Sequence, residues 1–455
     1  MKQATIFDMD GVLVDSESIH NRCDASLLEQ YGIQASPGDM AVYAGVPDRA
    51  MWETLKEKHH IPDTVEAIME KQMGIKKMAF NTYPFQSIPG VERLIRTLKS
   101  RGMRLGLASS SPRALIEVVL HKTGLTPFFD VVVSGEDVTN GKPAPDIFLK
   151  AALELGVTPG DAMVFEDSSH GVRAAKSAGM ECIGYKNPDS GEQDLSMADR
   201  VITSFEAYLL QWKKECFLRI CASNRDREGE DNRIGTLNEK MLHKILKQFL
   251  DGREEFHEVK TGAFVADIHD GREITEIQTR GFEKLRKKLK LFLEECPVTV
   301  VYPIACTKWL FWVDKETGEV SKKRKSPRTG QPYQIFFELY KIKHLLKHPN
   351  LRLHILLLDM EEYRFLDGYS NDRKRGSTRH ERIPLALAGE LRIDHPGEYV
   401  KLIPDSLPES FHSKDYQRHS GLSLGQAQKA LNVLHHMGAV DRTGKEGNMF
   451  IYQRR

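Results

Sequence analysis

Through residues 1–210, short apolar runs recur at long intervals: Thr5–Phe7, Arg104–Ala108, Phe129–Val133, Ala162–Phe165, Cys182–Gly184 and Arg200–Ile202. Between them apolar positions repeat at helical spacing, over Val91–Lys99, Ala114–Lys122, Ile147–Leu155 and Val172–Ala178. Strands alternating with amphipathic helices predict a parallel α/β sheet. One interval breaks the alternation. Residues 16–87 hold only helical patterns, at Ile19–Tyr31, Asp48–His59 and Thr64–Met78, so a helical insertion is expected after the first strand.

The pattern changes in the second half. Asn224–Arg233 is charged, has no hydrophobic period and reads as part of a linker over 211–234. A helix is predicted at Thr236–Leu246, followed by strands at His257–Lys260, Phe264–Ile268 and Glu273–Thr279, the last two joined by an Asp270-Gly271-Arg272 hairpin turn. Lys284–Leu293 has the pattern of an amphipathic helix, and Val298–Ile304 and Trp309–Val313 those of strands. The tail carries a compact motif: a helix opening at Phe411–Tyr416, a helix over Ser423–Leu434 capped by Ser423, a Gly444–Gly447 turn and a strand at Met449–Tyr452. These patterns divide the chain into 1–210 (with the insertion), a linker, 235–400 and 401–455.

Composition adds limits. Apolar residues at 40% and charged residues at 28% are ordinary for a globular protein. No apolar run reaches the length of a membrane span, and Met1–Ala4 leads straight into a strand without a signal peptide. The six cysteines form no CxxC pair and read as reduced thiols of a cytoplasmic protein. The net charge of +1 hides an asymmetry: residues 1–210 carry 21 basic and 29 acidic side chains, leaving 44 and 35 for the remainder. The basic half is the one to test for nucleic acid.

Candidate chemistry sits where parallel strands end, the usual location of sites in such sheets. The first strand runs into Asp8-Met9-Asp10-Gly11. Two carboxylates this close repel unless a cation lies between them, and magnesium prefers such oxygen ligands; alone, the motif also fits a solvated Asp-rich turn. The second strand ends in Ser109-Ser110-Ser111 before Pro112, where a hydroxyl and free backbone N–H groups suit a phosphate oxygen. Gly141-Lys142-Pro143-Ala144-Pro145 stiffens the backbone around one lysine, able to neutralise a phosphate and an attacking carboxylate together. Glu166-Asp167-Ser168-Ser169 brings two more acids to a strand end.

In order and spacing these four motifs resemble the haloacid dehalogenase superfamily of phosphohydrolases, in the subgroup containing β-phosphoglucomutase. The resemblance covers residues 1–210 and implies a Rossmann-like parallel sheet, with the insertion as a substrate-selecting cap. It implies Asp8 as nucleophile forming an aspartyl-phosphate and Asp10 as general acid/base. Ser109 and Lys142 hold the phosphoryl group, and Mg2+ is held by Asp8, the Asp10 carbonyl and Asp167, with Glu166 near or behind it. His20, Arg49, Lys76 and Lys77 are the cap's candidates for touching a small phosphorylated metabolite, such as a sugar phosphate. A phosphatase and a phosphosugar mutase share this core, and the phosphatase is the commoner outcome.

The second half resembles, in Glu239, Asp267 and Glu276-Ile277-Gln278, the PD-(D/E)xK or restriction-endonuclease-like α+β fold. The likeness implies a metal at Asp267 and Glu276, with Glu239 as an accessory acid and Gln278 in the usual lysine's place. The tail is similar to a winged helix-turn-helix. That implies DNA or RNA as a partner, with Ser423, Gln426, Gln428 and Lys429 facing a major groove and Arg442 and Lys445 near the wing. The basic runs Ser321–Arg328 and Asp372–Arg379 are candidates for phosphate contact. Two functions are therefore expected: a Mg2+-dependent phosphohydrolase and a nucleic-acid-binding, nuclease-like module. Either half is the principal one on these expectations.

Overall fold

A computed structural model describes residues 2–43, 48–188, 190–191, 193–228, 241–368 and 376–455. The chain divides into two compact units, Met1–Leu209 and Leu210–Arg455.

The first unit is built on β1 (Ala4–Phe7), β2 (Arg104–Ser109), β3 (Val131–Ser134), β4 (Ala162–Glu166), β5 (Glu181–Tyr185) and β6 (Arg200–Ile202). They form one sheet in the order β3-β2-β1-β4-β5-β6, and every pairing is parallel. All four residues of β1 are buried, as expected of a central strand covered on both faces. Helices supply the covers. The helix Val91–Ser100 buries Val91, Leu94, Ile95 and Leu98, a single stripe at helical spacing. Phe165 at the end of β4 packs against Phe7, Phe205 and Tyr208. Between β1 and β2 the helices Glu17–Gln30, Asp48–His59 and Val65–Thr82 gather a small core of their own around Trp52, Leu27, Leu28 and Ile68. This is the expected helical insertion. The strand order decides the site: β1 lies between β2 and β4, so the loops leaving all three meet at one edge.

The second unit holds β7 (His257–Thr261), β8 (Phe264–His269), β9 (Ile274–Ile277), β10 (Val298–Val313), β11 (Arg324–Lys325), β12 (Leu351–Gly368) and β13 (Gly376–Ile393). They form a mixed sheet in the order β13-β12-β10-β9-β8-β7, with β11 on β10. The β9–β10 and β10–β12 pairings are parallel and the others antiparallel. The helices Met241–Leu250 and Arg286–Glu295 pack in different clusters, the first with Val301 and Leu356, the second with Val300 and Leu353. A third sheet, β14 (Ser410–Phe411), β15 (Val440–Glu446) and β16 (Met449–Arg454), follows the order β14-β16-β15 beside the helices Ser413–Ser420 and Leu424–His436.

Three expectations change. Residues 211–228, read as linker, belong to one helix, Phe205–Glu228, whose Cys216, Phe217 and Cys221 are buried. Over residues 211–228 eight charged side chains are mixed with seven apolar ones, so no period stands out. Val298–Ile304 and Trp309–Val313 are one strand, bent by a register shift between Ala305 and Lys308. The 18-residue strands β12 and β13 are not expected from the pattern, because Glu361, Glu362, Arg364, Arg379, Glu381 and Arg382 interrupt their apolar positions.

Candidate active site

The loop after β1 turns tightly. Leu13 N donates to the Met9 carbonyl at 2.8 Å and Gly11 N to the Val14 carbonyl at 2.8 Å. Gly11 has φ +75°, and a Cβ there would stand 1.9 Å from Asp167 Oδ2. Glycine is needed for both the conformation and the close approach. The turn exposes the two acids to different surroundings.

Asp8 is 6% exposed and faces Lys142, whose Nζ donates to its Oδ1 at 2.6 Å. The same ammonium donates to Glu166 Oε1 at 2.6 Å and to the Ala108 carbonyl at 3.2 Å. Glu166 is fully buried, and its other oxygen accepts from Ser168 N at 2.9 Å and Ser168 Oγ at 3.0 Å. A Cβ on Gly171 would overlap Glu166 at 1.7 Å, so a glycine in the first turn of the following helix makes room for that carboxylate. Asp167 accepts from Ser190 Oγ at 2.6 Å. Ligand oxygens of Asp8, Glu166 and Asp167 all lie within 4.8 Å of one another.

Asp10 instead receives hydroxyls. Ser111 Oγ donates to its Oδ2 at 2.8 Å and Ser109 Oγ to the same atom at 3.2 Å, Ser16 Oγ donates to Oδ1, and His20 Nε2 lies 3.6 Å from Oδ1. Burial pushes the Asp10 carboxyl up, but His20 and the serine hydroxyls outweigh it and hold the group well below the usual range. The opposite holds for Asp8. Burial, with the charges of Glu166 and Asp10, raises it to about 8 despite Lys142. Burial and the neighbouring carboxylates also push Asp167 well up, whereas Asp8 and Glu166 overcome burial to hold Lys142 protonated. With all three carboxylates ionised, the one ammonium of Lys142 leaves negative charge unmet, and burial together with that charge is why Asp8 and Asp167 are raised. The oxygen-only donor set fits a hard divalent cation.

The resulting arrangement joins a lysine-backed carboxylate, a second carboxylate two residues away, serine hydroxyls at a strand end and an acid pair able to hold a cation. A match to the haloacid dehalogenase-like hydrolase model runs over residues 5–185. A phosphorylated carbohydrates phosphatase of Thermotoga maritima is 38% identical over 181 residues, spanning 40% of this chain and 83% of that protein. The chain belongs to the haloacid dehalogenase-like hydrolases. Fructose-1-phosphate phosphatase YqaB of Escherichia coli is 33% identical and spans 39% of this chain and 93% of its own. Among solved structures, CbbY from Rhodobacter sphaeroides in complex with phosphate is 27% identical, covering 45% of this chain and 95% of that one at a TM-score of 0.42. This hydrolase is thus an enzyme of phosphatase type. Residues 240–394 match a domain of unknown function (DUF8091).

Of the residues singled out in the sequence, Asp8, Asp10, Ser109, Lys142, Glu166, Asp167 and His20 come together. The remaining cap candidates do not join them. Lys76 is buried and paired with Asp48 at 2.9 Å and Asp24 at 3.8 Å, so it serves the cap's own packing. Arg49 pairs with Glu66 at 3.0 Å and Lys77 is exposed. The site also recruits Ser16, Ser111 and Ser190. Ser16 and Ser111 are visible beside the motifs, whereas only folding brings Ser190 back to Asp167.

In the second unit Asp267 and Glu276 are neighbours on β8 and β9, but each is engaged. Asp267 Oδ2 accepts from Ile277 N at 2.7 Å, Glu276 Oε1 accepts from Asp267 N at 3.3 Å, and Lys288 Nζ stands 2.6 Å from Glu276 Oε2. Gln278 turns its amide to the Arg280 carbonyl. Glu239 lies outside the described residues. Among the described residues, no third acid or histidine joins this pair as a possible metal ligand. In the tail, most of the residues expected to face a groove make contacts within the chain. Ser423 and Gln426 bond to each other in a capping box, and Lys429 lies over Phe337 and Tyr340 at 5.0 and 5.8 Å. Arg442 and Lys445 stack on Phe450 at 4.2 and 4.7 Å. Only Gln428 of the four helix residues is both exposed and uncommitted to these contacts. The helix buries Ala427, Ala430, Leu431, Val433 and Leu434, leaving its first turn as its most open part.

Proposed function

We propose that the first unit is a Mg2+-dependent phosphatase of small phosphomonoesters, phosphorylated carbohydrates foremost, working through an aspartyl-phosphate on Asp8. The observation that carries this reading is the contrast between the two acids: Asp8 lies on Lys142 beside Glu166 and Asp167, while Asp10 lies in a ring of hydroxyls with His20. Asp8, the Asp10 carbonyl and Asp167, with Glu166 behind, would hold Mg2+, which would supply charge neutralisation for the phosphoryl group. Lys142 holds Asp8 oriented and offsets the charge of the incoming phosphate. Asp8 attacks phosphorus in line, and the bond to the leaving oxygen breaks as the bond to Asp8 forms. Asp10 is ionised in the free site. It takes up a proton as the anionic phosphate arrives beside it, gives that proton to the leaving oxygen, then removes one from the water that hydrolyses the aspartyl-phosphate. Ser109 and Ser111 lie where hydroxyls can donate to phosphoryl oxygens, and His20 sits with Asp10 at the cap side. The names of the relatives, which include phosphatases of phosphorylated carbohydrates and fructose 1-phosphate, support the substrate class. A panel of sugar phosphates tests this reading. Inorganic phosphate is the expected product, and it is lost in Asp8→Asn. An isomerised sugar phosphate without phosphate release would instead identify a mutase.

For the second unit we infer metal-dependent cleavage of nucleic-acid phosphodiesters. The helix–three strands–helix–strand order and the adjacent Asp267 and Glu276 support it. Duplex nicking with added Mn2+ that disappears in Asp267→Ala is the expected result. Absence of nicking by the intact chain contradicts it.

A further inference from the structure

A cluster of cations elsewhere in the second unit takes in Arg379 and lies beside Arg328, the last residues of the two basic runs, and neither proposed activity uses it. Glu362, on β12, is fully buried. Arg379 Nε lies 3.3 Å from its Oε2, Arg382 Nε and Lys308 Nζ 3.5 Å from the same oxygen, and Arg364 Nη1 3.6 Å from Oε1. One carboxylate thus faces four cations at distances longer than good charge-assisted hydrogen bonds. Among the described residues, Nε of Arg364, Nε of Arg382 and Oε1 of Glu362 are buried without a hydrogen-bond partner. Buried donors in native proteins are normally satisfied, so unpaired ones mark a missing acceptor.

Beside the cluster is a cavity of about 260 Å³, lined by Lys308, Arg382 and Glu362, with Arg328, Gln334 and Ser326 around it. The register shift of β10 falls at Ala305–Lys308, and such bulges re-aim side chains. The loop carrying Arg328 is tied to the same strand at both ends. Ser326 N donates to the Lys308 carbonyl at 2.8 Å and Gly330 N to the Cys306 carbonyl at 3.0 Å. A Cβ on Gly330 would stand 2.1 Å from the Ala305 carbonyl oxygen, so the loop's close seat depends on that glycine. Arg328 itself is exposed.

We propose that Lys308, Arg328 and Arg382 form a binding site for a phosphate-type oxyanion. Arg364 and Arg379 provide further positive charge, and Glu362 holds the cations in place while neutralising only part of it. An oxyanion supplies the acceptors this cluster lacks, and guanidinium groups match its geometry. Burial and the neighbouring arginines hold Lys308 and Arg382 below their ordinary values, in keeping with an under-neutralised cluster. The site shares no residue with the proposed phosphatase or with the Asp267 and Glu276 pair.

Equilibrium dialysis of labelled inorganic phosphate against the full chain tests it. A Lys142→Ala background without added divalent metal removes the first unit's hold on phosphate. One saturable phosphate per chain is expected. Arg328→Ala, on an exposed side chain that the fold does not use, weakens it at least about tenfold, and Arg382→Gln abolishes it. Displacement by a short single-stranded oligonucleotide assigns the phosphate group to nucleic acid. Failure of the oligonucleotide to displace it assigns a small ligand, and either result agrees with an oxyanion site. No saturable binding, or binding unchanged in folded Arg328→Ala, overturns the proposal.

Discussion

The two units each bring acids together, and the comparison separates a converging site from a neighbouring pair. Asp8, Glu166 and Asp167 come from two strand ends and turn their oxygens to one point, where Asp8 and Glu166 share a single lysine. Asp267 and Glu276 come from adjacent antiparallel strands, where two acids meet through register alone, and their oxygens are occupied by backbone N–H groups and Lys288. The first cluster, when ionised, carries more negative charge than Lys142 offsets. Much of the second's charge is met by the protein itself. Convergence from separate loops thus marks a site more strongly than strand register does.

Substitutions sharpen this contrast. Lys142→Ala removes the only ammonium shared by Asp8 and Glu166 among the described residues, and a loss of phosphatase activity of about a thousandfold or more is expected from steady-state kinetics. Asp10→Asn removes proton transfer but leaves the metal-binding carboxylates, so kcat falls roughly 10²–10⁴-fold while Mg2+ dependence is retained. Asp167→Asn raises the Mg2+ concentration needed for half-maximal activity at least about tenfold, and chelation followed by Mg2+ addition restores the wild-type enzyme.

The second cluster predicts a stability effect. Burial, with the Asp267 charge, raises Glu276 from 4.5 to about 7. The unfolded chain releases this proton first as pH rises, so the folded form loses stability between about pH 4.5 and 7, by on the order of 3 kcal/mol. Denaturant unfolding of Glu276→Gln should show a flatter pH dependence across that window; an unchanged slope would assign the effect elsewhere. The smallest effect belongs to Arg49→Ala. Its partners are Glu66 and Glu53 on the cap surface, so kcat/KM should change less than about twofold.

The same contrast explains what is legible in the sequence. Buried parallel strands such as β1 and β4 are apolar runs followed by their functional residues, so the hydrophobic pattern alone places Asp8, Asp10, Glu166 and Asp167 at strand ends. Lys142 is legible because two prolines isolate it. Ser190 is not, since its role depends on a long-range return to Asp167. The strands β12 and β13 are hidden because their outer halves alternate charges and aromatics, exemplified by Glu362, Tyr363 and Arg364. The Phe205–Glu228 helix is hidden for a similar reason. Residues that hold a basic cluster around one buried acid do not announce themselves as strand formers. In the tail, Ser423 is legible as a helix cap, and polar residues such as Ser423 and Gln426 suit a cap and a groove-facing surface alike.

The most direct test of the central claim is acid-quenched mass spectrometry of the intact chain during turnover of a sugar phosphate with Mg2+. A transient phosphoryl adduct on the peptide containing Asp8, absent from Asp8→Asn, is the predicted result. Undiminished phosphate release by Asp8→Asn, or an adduct carried by another residue, would contradict it.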